Sequence, residues 1–136
     1  MTETYGLIPI GYIRSSVKTR ERAPRQGREE GIEVVVDILP EFADAVEGME
    51  ELEMLQVICW FHEARRDLLK VRPKRDPNRP LTGVFATRSP VRPNPLTVYA
   101  AKLLGVDGLR FRVQGVDAID GTPVLDIRPH IHRLDD

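Results

Sequence analysis

Apolar residues along this chain fall into short runs, mostly with the period of two expected of strands, separated by polar and proline-rich intervals. The first run, Leu7 to Ile13, sets Ile8, Ile10 and Tyr12 against Leu7, Gly11 and Ile13 and predicts a strand, with Pro9 marking an edge or a bulge. Ile32 to Leu39 is nearly all apolar and β-branched, predicting a second strand that Pro40 stops. Phe42, Val46 and Met49 then recur at helical spacing, so Glu41 to Glu50 reads as a short helix with its acids on a solvated face. From Leu55 to Phe61 the apolar character is continuous, as for a strand covered on both sides that delivers His62 and Glu63 to its end. Val84, Phe85 and Ala86 read as a short buried strand, and Leu96 to Leu104 as a longer one, with Val98 and Ala100 alternating against Thr97 and Tyr99. Gly108 to Val116 and Val124 to Ile127 read as an antiparallel pair whose connection includes the turn dipeptide Asp120-Gly121.

Two intervals resist regular structure. Arg14 to Arg28 is a polar loop rich in arginine, and loops of that length inside a domain are usually functional or disordered. Gly83 to Pro95 carries prolines at 90, 93 and 95, which hold Ser89, Arg92 and Asn94 with little backbone freedom. Such a loop presents two guanidiniums, Arg88 and Arg92, and the Asn94 amide, beside the hydroxyls of Thr87 and Ser89, which can face a ligand. On composition alone it is equally a proline-rich surface turn whose arginines are solvated.

A length of 136 residues suits one domain spanning the chain, large enough to bury a core without staples. The single cysteine, Cys59, lies in an apolar run, which fits a small buried hydrophobe in a reducing compartment and excludes an intrachain disulfide or a cysteine metal cluster. No apolar run approaches ~18 residues and no signal peptide is visible, so the expectation is a cytoplasmic protein with no membrane partner. The net charge of -1 conceals two blocks. Glu29 to Glu63 holds eleven acids and no Lys or Arg, whereas Arg65 to Arg92 holds nine bases against Asp67 and Asp76. A phosphate-rich partner is drawn to the second block, where Lys74, Arg75 and Arg79 stand among prolines; the alternative is that the blocks complement each other within the fold or across a dimer.

Phe85-Ala-Thr-Arg-Ser-Pro-Val-Arg-Pro-Asn-Pro95 resembles the signature of the tRNA methyltransferase O family, the TsaA-like domain in its short single-domain form. Ile10-Gly-Tyr-Ile-Arg-Ser-Ser16, Ala23-Pro-Arg-Gln26 and Asp120-Gly-Thr-Pro-Val-Leu-Asp-Ile-Arg-Pro129 agree with it, in the family's order and over nearly the whole chain. The resemblance implies a mainly β fold, a small β-barrel with one or two short helices that binds S-adenosylmethionine without a Rossmann domain. It further implies a homodimer that methylates N6 of a threonylcarbamoyl-modified adenine beside the tRNA anticodon. Carried over residue by residue, the cofactor contacts are Pro24, Arg25, Gln26, His62, Glu63, Arg88, Val98, Asp120, Gly121, Thr122 and Pro123. Arg92 and Asn94 become candidates for placing the target nucleotide, Asp126 a candidate for its chemistry, and Lys74, Arg75 and Arg79 for contacting RNA phosphates. Two departures stand out: Leu96-Thr97 where relatives commonly have Ile-Gly, and Arg128-Pro129-His130 where they often have Lys-Pro-Tyr.

Methyl transfer from a sulfonium to an amine requires in-line placement and no nucleophilic side chain, so positioning carries most of the acceleration. The chain holds no Walker loop, Gly-x-Gly-x-x-Gly or nucleophile–histidine arrangement, and His130 and His132 at the tail are weak evidence for a metal. Two other readings stay open at this stage: an S-adenosylmethionine-binding enzyme or sensor for a small molecule, and an RNA-binding module without chemistry.

Overall fold

The computed structural model describes residues 2–16 and 32–131. Strict alternation produces the regular part. In β1 (Gly11–Arg14) and β2 (Glu33–Ile38), Gly11, Ile13, Val34, Val36 and Ile38 turn inward. The same holds for Leu55, Val57 and Cys59 of β3 (Met54–Trp60) and for Phe111 and Val113 of β7 (Arg110–Gln114). With β6 (Leu96–Asp107) and β8 (Pro123–Pro129), these strands close an antiparallel barrel in the order β1-β2-β7-β6-β3-β8. Burying Phe111 completely contributes about 1.5–3 kcal/mol, and closure leaves no unpaired edge.

Two compact units divide the chain, 1–59 with 98–136, which contains the barrel core, and 60–97. The second unit holds the two-residue strands β4 (Lys70–Val71) and β5 (Thr82–Gly83), paired as a small hairpin. The rest of it is turns and proline-rich chain.

The mainly β barrel expected from the resemblance is present, but several elements differ from the reading of the sequence. Residues 2–10 are not a strand; Leu7 and Ile8 are exposed, and β1 begins at Gly11. Gly11 marks a close approach, because a Cβ there would lie 2.4 Å from the Asp37 carbonyl oxygen. The helix expected over Glu41–Glu50 is a pair of 3₁₀ segments, Pro40–Val46 and Met49–Glu51, separated by Gly48 at φ +91°, a conformation that ends helical winding. Phe42, Val46 and Met49 are nevertheless its half-buried positions. β3 is fully buried on one face and half-covered on the other, so its continuous apolar character overstated its burial.

Val84–Ala86 is a 3₁₀ turn rather than a strand, and only Val84 is buried while Phe85 is 81% exposed. Three residues are too few to show a period. β7 does not pair with β8: it lies between β2 and β6, while β8 lies between β1 and β3. Barrel closure separates the two strands, a long-range outcome that a local turn signal does not encode.

Candidate functional site

Within the barrel unit, the motif segments 10–16 and 120–129 are hydrogen-bonded together. Ile13 donates to the Thr122 carbonyl (2.9 Å), Gly121 donates to that of Ile13 (2.8 Å), and Ile10 donates to that of Val124 (2.8 Å). Between them sits a turn in which the Thr122 amide donates to the Ile119 carbonyl and Gly121 takes φ +87°, the left-handed value that favours glycine. Asp120 Oδ1 accepts from the Ser15 amide at 2.9 Å, fixing the start of the turn to the end of β1. Thr122 is buried, and its hydroxyl donates to the Ile119 carbonyl at 2.8 Å, so that group holds the turn together. Space is open where a Gly121 side chain would project. Further along β8, Asp126 accepts from the Ile127 amide through Oδ1 and from Arg128 Nη2 through Oδ2 at 2.8 Å, an ion pair along one strand. Val98, on β6, is 47% exposed.

Unit 60–97 assembles the other candidates. Beyond β3 the chain turns back on itself, with His62 and Glu63 exposed, and the Phe61 amide donates to the carbonyl of fully buried Pro95 at 2.9 Å. The loop hydroxyls expected to face a ligand are used inside the loop instead. Thr87 Oγ1 donates to the Val84 carbonyl and accepts from the Ser89 amide, while Ser89 Oγ accepts from the Val91 amide at 3.1 Å. These short-range bonds give a proline-rich segment the rigidity that ladder bonds supply elsewhere. Arg92 Nη1 donates to the carbonyls of Ser89 (2.9 Å) and Thr87 (3.3 Å), and the Arg92 amide donates to the Arg65 carbonyl. Both of these bonds use Nη1, and Arg92 is half-buried. Arg88 and Asn94 are exposed.

Arg66, which the sequence reading passed over, lies at the centre of this network. Its Nε donates to the Pro93 carbonyl at 2.7 Å, its Nη2 donates to Asn94 Oδ1 at 3.4 Å, and its guanidinium sits 5.0 Å from the Trp60 ring centroid. A contact across 27–28 positions leaves no local pattern; the only available signal was an arginine pair, Arg65-Arg66, shortly after the Trp60-Phe61-His62 run.

Of the basic candidates, Lys74 and Arg79 are on the surface of the same unit. Lys74 is exposed at φ +57° within the turn Pro73–Arg75. Arg79 shares Asp76 at 3.9 Å, and its carbonyl accepts from Arg72 Nη1. Nearby, Arg65 and Asp67 form an exposed pair at 2.8 Å that raises the guanidinium pKa and lowers that of the carboxyl, in each case chiefly through their hydrogen bond. Pro24, Arg25, Gln26 and His132 lie outside the described residues.

A separate cleft of about 420 Å³ opens on the barrel between Tyr12, Arg14, Leu39, Leu109 and Arg110, with Asp37 accepting from Arg14 at 3.4 Å and lying 3.9 Å from Arg110. Of the residues assigned by the resemblance it contains none, and its two guanidiniums are already served by one carboxylate. Among the described residues, no helix is long and apolar enough to cross a membrane.

Comparison with known proteins supplies the family. The tRNA-methyltransferase O N-terminal domain model matches residues 12–136. A "Probable S-adenosyl-L-methionine-binding protein" of Methanothermobacter thermautotrophicus is 44% identical over 127 residues, covering 93% of this chain and 90% of the relative. A "Putative S-adenosylmethionine-dependent methyltransferase RcsF" of Pseudomonas aeruginosa is 40% identical over 97% of this chain and 57% of its own length. A crystal structure of TrmO superposes with a TM-score of 0.80 at 37% identity, covering 98% of this chain and 60% of that one. TrmO from P. aeruginosa superposes with a TM-score of 0.78 at 33% identity, and the chain spans about three fifths of these solved proteins. With its signature loop, its β8 turn and nearly its whole length matched, this chain belongs to the tRNA-methyltransferase O N-terminal domain family.

Proposed function

We propose that this protein is an S-adenosylmethionine-dependent tRNA methyltransferase, acting as a homodimer in the cytoplasm on N6 of a threonylcarbamoyl-modified adenine next to the anticodon. The observation that carries this reading is the loop 85–95: the family signature is built here as a rigid platform holding Arg92 and the Asn94 amide in place. The residues present fit the cofactor. Gly121 leaves open space at the β8 turn, and Arg88 offers an exposed guanidinium suited to a carboxylate.

S-adenosylmethionine, when bound, supplies the methyl group on a sulfonium. The chain supplies placement. Arg88, His62 and Glu63, together with the 120–123 turn, are the proposed cofactor contacts, joined by Pro24, Arg25, Gln26 and Val98. Arg92 and Asn94 orient the target nucleotide for in-line attack by its amine. Asp126, held by Arg128, is the proposed acceptor that orients the departing N6 proton. Lys74, Arg75 and Arg79 contact phosphates, which position the RNA without reading it.

Three measurements test this reading. Calorimetry with S-adenosylmethionine is expected to show binding. Transfer of labelled methyl from the cofactor to tRNA that carries the threonylcarbamoyl group but not the methyl is expected, with nucleoside mass spectrometry placing it on the modified adenine. Light scattering with cofactor present is expected to give a dimer. Cofactor binding without transfer to any tRNA would favour a small-molecule enzyme or sensor, and salt-dependent tRNA binding without cofactor binding would favour an RNA-binding module.

A further inference from the structure

We infer that Arg66 is a positioning residue that locks the Asn94 side chain with its Nδ2 donors turned outward, and that Asn94 therefore engages an acceptor, a ring nitrogen or a carbonyl oxygen, on the target nucleotide. The inference rests on the proposed function and specifies its substrate contact.

A guanidinium has five N–H donors and no acceptor, so the atom that Asn94 turns toward Arg66 must be its oxygen, and this settles the amide's orientation on chemical grounds. With Oδ1 committed at 3.4 Å, the Nδ2 group points away and carries two N–H donors from an exposed residue. Arg66 is itself held at both ends of its reach. Its Nε is bonded to the Pro93 carbonyl at 2.7 Å, and its plane lies over Trp60 at 5.0 Å. The backbone beside it is tied as well, since the Arg65 carbonyl accepts from the Arg92 amide at 3.3 Å. Residues 65 and 66 thus fasten three successive loop positions, 92, 93 and 94, where Pro93 and Pro95 have no N–H to contribute. Lysine at 66 would keep the charge but lose the planar fork that reaches two acceptors while stacking on the indole.

The two parts separate experimentally. Asn94→Asp keeps the oxygen facing Arg66 but removes the donors; Arg66→Ala keeps the donors but releases them. Both variants are expected to lower kcat for tRNA methylation about tenfold or more, with S-adenosylmethionine affinity within twofold of wild type, and Arg66→Lys is expected not to restore it. Wild-type turnover by Asn94→Asp, or full rescue by lysine, would overturn the inference. A second measurement does not depend on activity, and its comparison of mobility does not depend on the proposed function. In ¹⁵N-labelled protein, the Asn94 Nδ2H₂ group is expected to be rigid by heteronuclear NOE in wild type and mobile in Arg66→Ala, and to shift on addition of an anticodon stem-loop RNA in wild type. Equal mobility in the two proteins, or no shift with bound RNA, would overturn it. If the wild-type protein methylates no tRNA, the proposed function falls, and the amide resonances still decide the Arg66 assignment.

Discussion

The barrel unit and the 60–97 unit reach order by opposite means. In the barrel, inward side chains such as Phe111, Leu55 and Val36 are wholly buried and the backbone is paired strand to strand. In the 60–97 unit, Val84 and Pro95 are the fully or nearly fully buried residues among those described, and the chain is held by side chains bonding to backbone: Thr87 to Val84, Ser89 to Val91, Arg92 to Thr87 and Ser89, Arg66 to Pro93. A hydrophobic core tolerates change on its outer face, whereas a platform made of individual hydrogen bonds places particular atoms and depends on each of them. Substitutions in the barrel should therefore appear first in stability, and those in 60–97 first in binding and turnover.

The sharpest contrast comes from Phe111→Ala, which empties the centre of the barrel and is expected to cost about 3–5 kcal/mol in denaturant unfolding. A cost below ~1 kcal/mol would mean that the barrel is not the stabilising unit. Next is the alkaline limb of stability. Burial, aided by the Asp117 charge, pushes the Cys59 thiol up to about 12. The folded state thus retains a proton that the unfolded chain releases near pH 9.0, the ordinary thiol value. This contribution is complete below pH ~9 and lost as pH rises toward ~12, at about 1.4 kcal/mol per pH unit. Cys59→Ser, whose hydroxyl does not titrate there, should lose that slope, and native Cys59 should resist alkylation at pH 8.

In the 60–97 unit, Arg88→Ala is expected to weaken S-adenosylmethionine binding roughly tenfold with an unchanged melting temperature. An unaltered titration would remove Arg88 from the cofactor site. Replacing Lys74, Arg75 and Arg79 together with Ala should lower the salt slope of tRNA binding by up to about 3 and leave cofactor binding alone. An unaltered slope would reassign the basic segment to a contact within the protein or between subunits. The smallest effect belongs to Asp67→Asn. Its lowered pKa makes the Arg65 pair a contribution present at neutral pH and lost as pH falls through the folded pKa, but both partners are exposed. No resolvable change in the melting temperature at pH 7 is expected.

The β-branched run over residues 32–39, alternation along residues 110–114, the stop at Pro40, the Asp120-Gly121 turn and the signature loop 85–95 were determined by the sequence itself, because each depends on neighbours within a few residues. That the chain belongs to this family was legible for the same reason. Tertiary structure decided what depends on distant partners. It set β7 between β2 and β6, shortened the first strand to begin where Gly11 meets the Asp37 carbonyl, and turned Thr87 and Ser89 back into their own loop. It also brought Arg66 to Asn94 across 28 positions, a contact between donors and acceptors that no local periodicity encodes, because it exists only once the chain has folded back on itself.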